Sequence, residues 1–243
     1  NGVTVALKAD GTVEAVSGVT EGVGSPAVFE SATSNYISAT YDSTNGKVVI
    51  AYQDNGNSSY GTAVVGTVSG TSISFGTPVV YSSALITSMS ATYDLTNSKV
   101  VISYRNNGNS GFGTAIVGTV SGTSISFGTA ALFDNSSSID ISATFDSNSN
   151  KVVVAYRDFG NSDIGMTVVG TVSGTSISFG TPVTINNAIS DSFSATFDST
   201  NNKVVVAYRN YGNSNYGTAR VGTVSGTSIS FGTAVVFESA DSA

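Results

Sequence analysis

From Ile37 onward, apolar and polar residues alternate over short stretches broken by Gly, Asn, Asp and Ser. Ile37–Asp42 alternates with period two and predicts a half-buried first strand. Ser43-Thr44-Asn45-Gly46 follows, and its Asx and Gly residues accept the backbone angles of a tight hairpin. Lys47 then opens Val48-Val49-Ile50-Ala51-Tyr52, an almost continuous apolar run, which predicts a second strand covered on both faces. A polar loop, Asp54–Gly61, leads to a third strand at Thr62–Val68 and a turn at Ser69-Gly70-Thr71. The fourth strand, Ser72–Phe75, kinks at Gly76-Thr77-Pro78 and resumes at Val79-Val80-Tyr81, where Pro fits an edge strand or a bulge. Ser82–Ser88 reads as a variable link. Strong helix formers are scarce and β-branched residues, Gly and Ser dominate, so the chain reads as all-β.

The same pattern is written four times. Val65–Thr77 returns unchanged at Val117–Thr129, Val169–Thr181 and Val221–Thr233, each copy 52 residues after the last, and Val16-Ser17-Gly18 begins a fainter copy. Four antiparallel strands per repeat of this length predict a β-propeller of four-stranded blades. A solenoid rung is shorter and an immunoglobulin domain longer. The blades fall at 31–82, 83–134, 135–186 and 187–238. Residues 1–30 supply strands at Val3–Lys8 and Thr12–Val16 around an Asp10-Gly11 turn, with Val19–Phe29 as a further strand. The expectation is one domain with five sectors around an axis. The alternatives are a four-bladed ring with an N-terminal cap, and a piece of a longer array.

Composition narrows the partners. Charged residues make up 10% of the 243-residue chain, and the net charge is −7. With no basic patch to displace counterions, nucleic acid is excluded as a partner. The absence of His and Cys removes disulfides and imidazole or thiolate metal sites, and no cofactor motif is present. No apolar run is long enough for a transmembrane helix, so membrane insertion is not expected. The chain starts at Asn1 without Met and reads as a mature or excised piece. A surface of Ser, Thr, Asn and Gly is associated with extracellular or virion-surface β proteins.

Two resemblances add to this. The turn Val-Ser-Gly-Thr-Ser-Ile-Ser-Phe-Gly-Thr-Pro resembles the Asp-box hairpin of sialidase-type propellers, without the Asp and Trp of that motif, and so bears on the fold. The repeated Val-Gly-Thr-Val-Ser-Gly block is similar to repetitive surface and tail-fibre-like proteins of marine bacteria and their phages. That likeness implies display outside a cell or on a virion, within a larger fibre or virion assembly.

Candidate chemistry lies in the loop between the second and third strands. Gly-Asn-Ser holds in all four copies, giving Asn57, Asn109, Asn161 and Asn213, with Tyr60, Phe112 and Tyr216 close behind. Amides and hydroxyls beside an aromatic face suit a sugar. The plainer reading is that Asn and Ser cap their own loop while the aromatic fills a gap between blades. Arg105, Arg157 and Arg209 share one blade position, held by Gln53 in the first copy. They distantly resemble the carboxylate-gripping arginines of sialidases; the plainer reading pairs each with Asp158 or its like, or with the Asp that ends the first strand. Those acids, Asp42, Asp94, Asp146 and Asp198, read as Asx-turn caps with a local Lys contact rather than as glycosidase carboxylates or a Ca²⁺ site. No catalytic and no metal-ligating residues are assigned, since there is no His base and no Gly-x-Ser-x-Gly elbow. The function expected is a non-catalytic, lectin-like adhesion module for glycans or another surface polymer. Sites of about millimolar affinity gain from repetition. A structural spacer or decoration module and a sialidase-like glycosidase are the alternatives.

Overall fold

The computed structural model describes residues 5–8, 12–15 and 24–240. β1 (Val5–Leu7) and β2 (Val13–Ala15) pair antiparallel with Ala6 opposite Glu14. The Asp10-Gly11 turn expected between them lies outside the described residues. Of the strand expected at Val19–Phe29, residues 19–23 also lie outside, and residues 24–29 are not strand.

Seventeen further strands form one antiparallel sheet built from four equivalent units. The first contains β3 (Ser34–Asp42), β4 (Lys47–Asp54), β5 (Tyr60–Ser69) and β6 (Ser72–Phe75). The second contains β7 (Val79–Asp94), β8 (Lys99–Asn106), β9 (Phe112–Ser121) and β10 (Ser124–Phe127). The third contains β11 (Ala131–Asp146), β12 (Lys151–Asp158), β13 (Ile164–Ser173) and β14 (Ser176–Phe179). The fourth contains β15 (Val183–Asp198), β16 (Lys203–Asn210), β17 (Tyr216–Ser225), β18 (Ser228–Phe231) and β19 (Val235–Glu238). β3 pairs with β4 and β19 with β17, and no ladder joins β19 to β3, so the sheet is open rather than ringed by hydrogen bonds.

One expectation is corrected. Ser82–Ser88 is not a link but the middle of β7, whose 16 residues serve two units in turn. Its start pairs with β5 and its end with β8. A bulge between Thr87 and Met89 redirects the strand, with Ser88 in the left-handed region at φ 44°. The same device recurs at Tyr36, Asp140 and Ser192. The Pro78 kink lies between β6 and β7, where the sequence placed it.

The core lies between units. Val49, Ala51, Ala63 and Val65 of the first unit pack on Val100, Ile102, Tyr104 and Ile116 of the second. Alternate residues of the same strands face the other way, so Val100, Val101 and Ile102 are all fully buried, as the continuous apolar run predicts. Full burial of each such side chain contributes about 1.5–3 kcal/mol. Tyr81 packs edge-on to Tyr104 at 5.2 Å, and Phe133 to Tyr156 at 5.1 Å. Phe29, just ahead of the first unit, meets Tyr52 in the same way at 5.1 Å.

Neighbouring copies of the identical block interlock at one glycine. A Cβ on Gly76, Gly128 or Gly180 would fall 1.9 Å from the carbonyl oxygen of Thr123, Thr175 or Thr227 in the next unit. Glycine is therefore required where one hairpin rests on the next. Because the strands alternate in direction, these hairpins and the turns after β3, β8-facing β7, β11 and β15 share one end of the sheet. The loops after β4, β8, β12 and β16 and the bulges share the other. Among the described residues, no helix is long and apolar enough to cross a membrane.

Candidate functional site at the loop end

Each loop after the second strand of a unit is tight. In units one, two and four it contains a single 3₁₀ turn followed by a serine in the left-handed conformation: Ser58, Ser110 and Ser214. Ser162 takes the same conformation in unit three at φ 60°. The constant glycine has a steric cause, since a Cβ on Gly56, Gly108 or Gly212 would fall 2.5–2.6 Å from the Ala32, Ala84 or Ala188 side chain. In the first unit the loop is capped not by its own Asn but by Asp54, whose Oδ1 accepts from the Asn57 backbone N–H at 3.1 Å. So the expected Asn cap is absent. Asn57, Asn109, Asn161 and Asn213 are exposed, and among the described residues no protein group hydrogen-bonds to their side-chain amides.

Tyr60, Phe112 and Tyr216 are half-buried at the first position of β5, β9 and β17. The aromatic residues that fill the gaps between units are Phe29, Tyr81 and Phe133 instead. Ile185 holds that position in the next copy, and there Phe193 stacks on Tyr208 at 5.7 Å.

The three arginines have different surroundings. Arg157 Nε donates to Asp163 Oδ1 at 2.9 Å, and its Nη1 lies 3.8 Å from Asp140 and 3.9 Å from Asp191 of the next unit. Arg209 grips Asp191 with two hydrogen bonds, Nε to Oδ1 at 2.8 Å and Nη2 to Oδ2 at 2.7 Å. Tyr211 donates to the same carboxylate at 2.9 Å, and the Arg209 guanidinium lies 4.7 Å from its ring centroid. The ion-pair reading holds for these two, with different acids from those expected. Asp158 is instead buried near Asp134 at the junction of units two and three. Asp146 accepts from the Asn148 and Ser149 backbone N–H groups at 2.9 and 3.0 Å as a turn cap. The Lys contact expected at these caps is also corrected in the first unit, since Lys47 Nζ donates to Thr67 Oγ1 at 2.8 Å. Gln53 bridges to unit two by donating to the Ile86 carbonyl oxygen at 2.5 Å. Arg105 has no ion-pair or hydrogen-bond partner among the described residues, and its Nε is buried without an acceptor.

Sequence reasoning missed a cavity of about 290 Å³ among the strand bulges at this end. The same two positions of every unit line it: Tyr36 and Ile37, Ser88 and Met89, Asp140 and Ile141, Ser192 and Phe193. A signal was present, because the repeat does not hold one residue at this position, with Tyr36, Ser88, Asp140 and Ser192 in the four copies. Burial, with the nearby Asp191 charge, pushes the Asp140 carboxyl up despite Arg157 and Arg209. Among the described residues no group of three or more His, Cys, Asp or Glu is placed to hold a metal.

No family model and no curated protein matches the chain. Solved structures do. SapL1, a lectin solved in complex with alpha methyl fucoside, aligns with a TM-score of 0.53 and 16% identity, over 83% of this chain and 64% of that one. An arginine-to-alanine triple mutant of AofleA from Arthrobotrys oligospora aligns with a TM-score of 0.50 and 12% identity, over 82% of this chain and 58% of that one. The chain thus spans less than two thirds of the length of these neighbours, which are of the β-propeller type. At such identity the likeness is one of fold.

Proposed function

We propose that the chain is a non-catalytic, lectin-like propeller module that binds glycans through the loop end of its units. The observation that carries this reading is the set of four exposed loop amides without protein partners among the described residues, raised on one rigid end of a lectin-type fold. Each amide offers paired donor and acceptor groups to sugar hydroxyls, and its loop backbone is already fixed, so binding orders little. Repetition supports adhesion to a polymer, because weak sites gain when several engage one surface. We place the module outside a cell or on a virion surface, within a larger assembly, on the strength of its low charge and repetitive block.

In this reading the four units are blades and a fifth sector lies ahead of them. Gly24 and Phe29 support it. A Cβ on Gly24 would meet Thr71 O at 1.7 Å, as Gly76 meets Thr123, and Phe29 stands where Tyr81 stands one unit later. A sialidase-like reading is less well supported, because Asp163 and Asp191 already neutralise two of the three arginines.

A glycan array tests the proposal. Labelled protein binds at least one glycan class, and replacing Asn57, Asn109, Asn161 and Asn213 together by Ala abolishes the signal while the melting temperature holds. An array without a hit, or binding untouched by the fourfold replacement, overturns it.

A further inference from the structure

We propose that Arg105 is the receiving group for a carboxylate carried by an acidic sugar, so that the loop end distinguishes acidic from neutral glycans at one unit only. The inference rests on the glycan-binding reading and names the ligand chemistry of that site.

It comes from comparing repeat-equivalent positions. Arg157 is met by Asp163 and Asp140 in its own unit and by Asp191 in the next. One period earlier, the positions of those three acids hold Gly111, Ser88 and Ile139 around Arg105. Arg209 pairs with Asp191 of its own unit, and the matching residue beside Arg105 is Thr87, its cross-strand neighbour. Each of these acids, Asp163, Asp140 and Asp191, is therefore replaced by an uncharged residue here.

The guanidinium is nevertheless built in. It lies on the bare backbone of Gly111, where an added Cβ would come 2.6 Å from Nε and 2.8 Å from Nη2. Thr87, its cross-strand neighbour, is held by Asn107, whose Nδ2 donates to Thr87 Oγ1 at 3.1 Å. A half-buried guanidinium with an unanswered Nε–H carries a desolvation cost that an anion removes. Its planar fork matches a carboxylate in bidentate geometry. The exposed Asn109 amide and half-buried Phe112 stand on the same loop to meet the rest of a sugar ring.

The test uses two small glycosides that differ only in the charged group, methyl glucuronoside and methyl glucoside. Binding is read from the Arg105 Nε–H resonance and from the loop amides in NMR titrations. The wild type is expected to prefer the glucuronoside by about tenfold or more, the worth of one charge-assisted pair. Arg105→Gln, the residue of the first unit, removes the preference by lowering glucuronoside affinity to that of the glucoside. Gly111→Asp does the same by recreating the Arg157–Asp163 pair in place, and the Asp163 backbone at φ 61° shows that this position tolerates Asp. Equal binding of both glycosides, or a preference that survives either variant, overturns the inference and leaves glycan binding intact. A protein that binds array glycans but neither glycoside also overturns it. A protein that binds no glycan in the array fails the broader reading as well.

Discussion

The two ends of the units are held by different contacts, and the repeat records the difference. At the turn end, copies touch copies. Thr44 Oγ1 and Ser98 Oγ, equivalent turns of neighbouring units, lie 3.1 Å apart, and Tyr93 donates to Thr44 at 2.7 Å. The invariant hairpins rest on one another through Gly76, Gly128 and Gly180. A residue whose neighbour is its own copy cannot change alone, so identity is the mark of scaffold. At the loop end the backbone and the exposed Gly-Asn-Ser of each loop are as constant, with the same left-handed serines, but the side chains around them face solvent and a cavity and have diverged. Constant backbone with varied side chains suits recognition.

The sharpest way to break this comparison is at the turn end. Gly128→Ala forces a Cβ against the Thr175 carbonyl oxygen and should cost about 2–3 kcal/mol or more in denaturant unfolding. Gly232→Ala, in the same block but with nothing closer than Val221 O at 3.8 Å, should cost under about 1 kcal/mol. Equal losses would mean that the block is constant for reasons other than stacking.

Next in size is the turn cap. Asp94 is buried, and it accepts from the Asn97 backbone N–H at 2.9 Å and from the Asn97 amide at 2.8 Å. Asp94→Ala should cost about 1–3 kcal/mol and leave glycan binding untouched.

Much of this was legible in the sequence. The period and the alternation located the second and third strands of the four units, and the turns at Ser43–Gly46, Leu95–Ser98, Ser147–Asn150 and Ser199–Asn202 fell where expected. What escaped were contacts between copies. No local pattern says that Phe29, Tyr81 and Phe133, rather than Tyr60 or Phe112, fill the gaps, since that depends on which face of a strand meets the next unit. The link at Ser82–Ser88 looked like loop because its residues vary, yet β7 runs unbroken through it to the bulge at Ser88. Arg157 finds its acids in Asp163 and Asp140 of its own unit and in Asp191, 34 residues ahead across a unit boundary, so the adjacent Asp158 misled.

Smaller effects separate the arginines. Arg157→Gln removes a contact joining units three and four and should lower stability by about 1 kcal/mol, while Arg105→Gln should change it by under about 0.5 kcal/mol. Similar losses from both would indicate a partner for Arg105 within the fold.

The smallest effect is on pH dependence, where the turn-end Asp42 and the loop-end Asp134 and Asp140 act in opposite directions. At the turn end, burial would raise Asp42, but hydrogen bonds from Asn45 outweigh it and hold the carboxyl below the ordinary 3.8. Its contribution is present above that value and is lost as pH falls through the depressed one. At the loop end, burial, with the Asp158 charge, raises Asp134, although Ser138 donates to it, and burial likewise raises Asp140. The fold favours their protonated forms, so stability grows as pH falls through their raised values and the gain is complete below 3.8. Melting temperature should therefore rise slightly on mild acidification and then fall below about pH 4. Asp134→Asn with Asp140→Asn should remove the rise and keep the fall.

The central claim is that ligand is received at the loop end and not at the turn end. Amide chemical-shift mapping during titration with a glycan that the array selects tests it most directly. The account predicts shifts at Asn57, Asn109, Asn161, Asn213 and their loop neighbours, with the turn-end amides of Asn45, Asn97 and Asn201 unmoved. Shifts concentrated at the turn end, or spread equally over both, would contradict it.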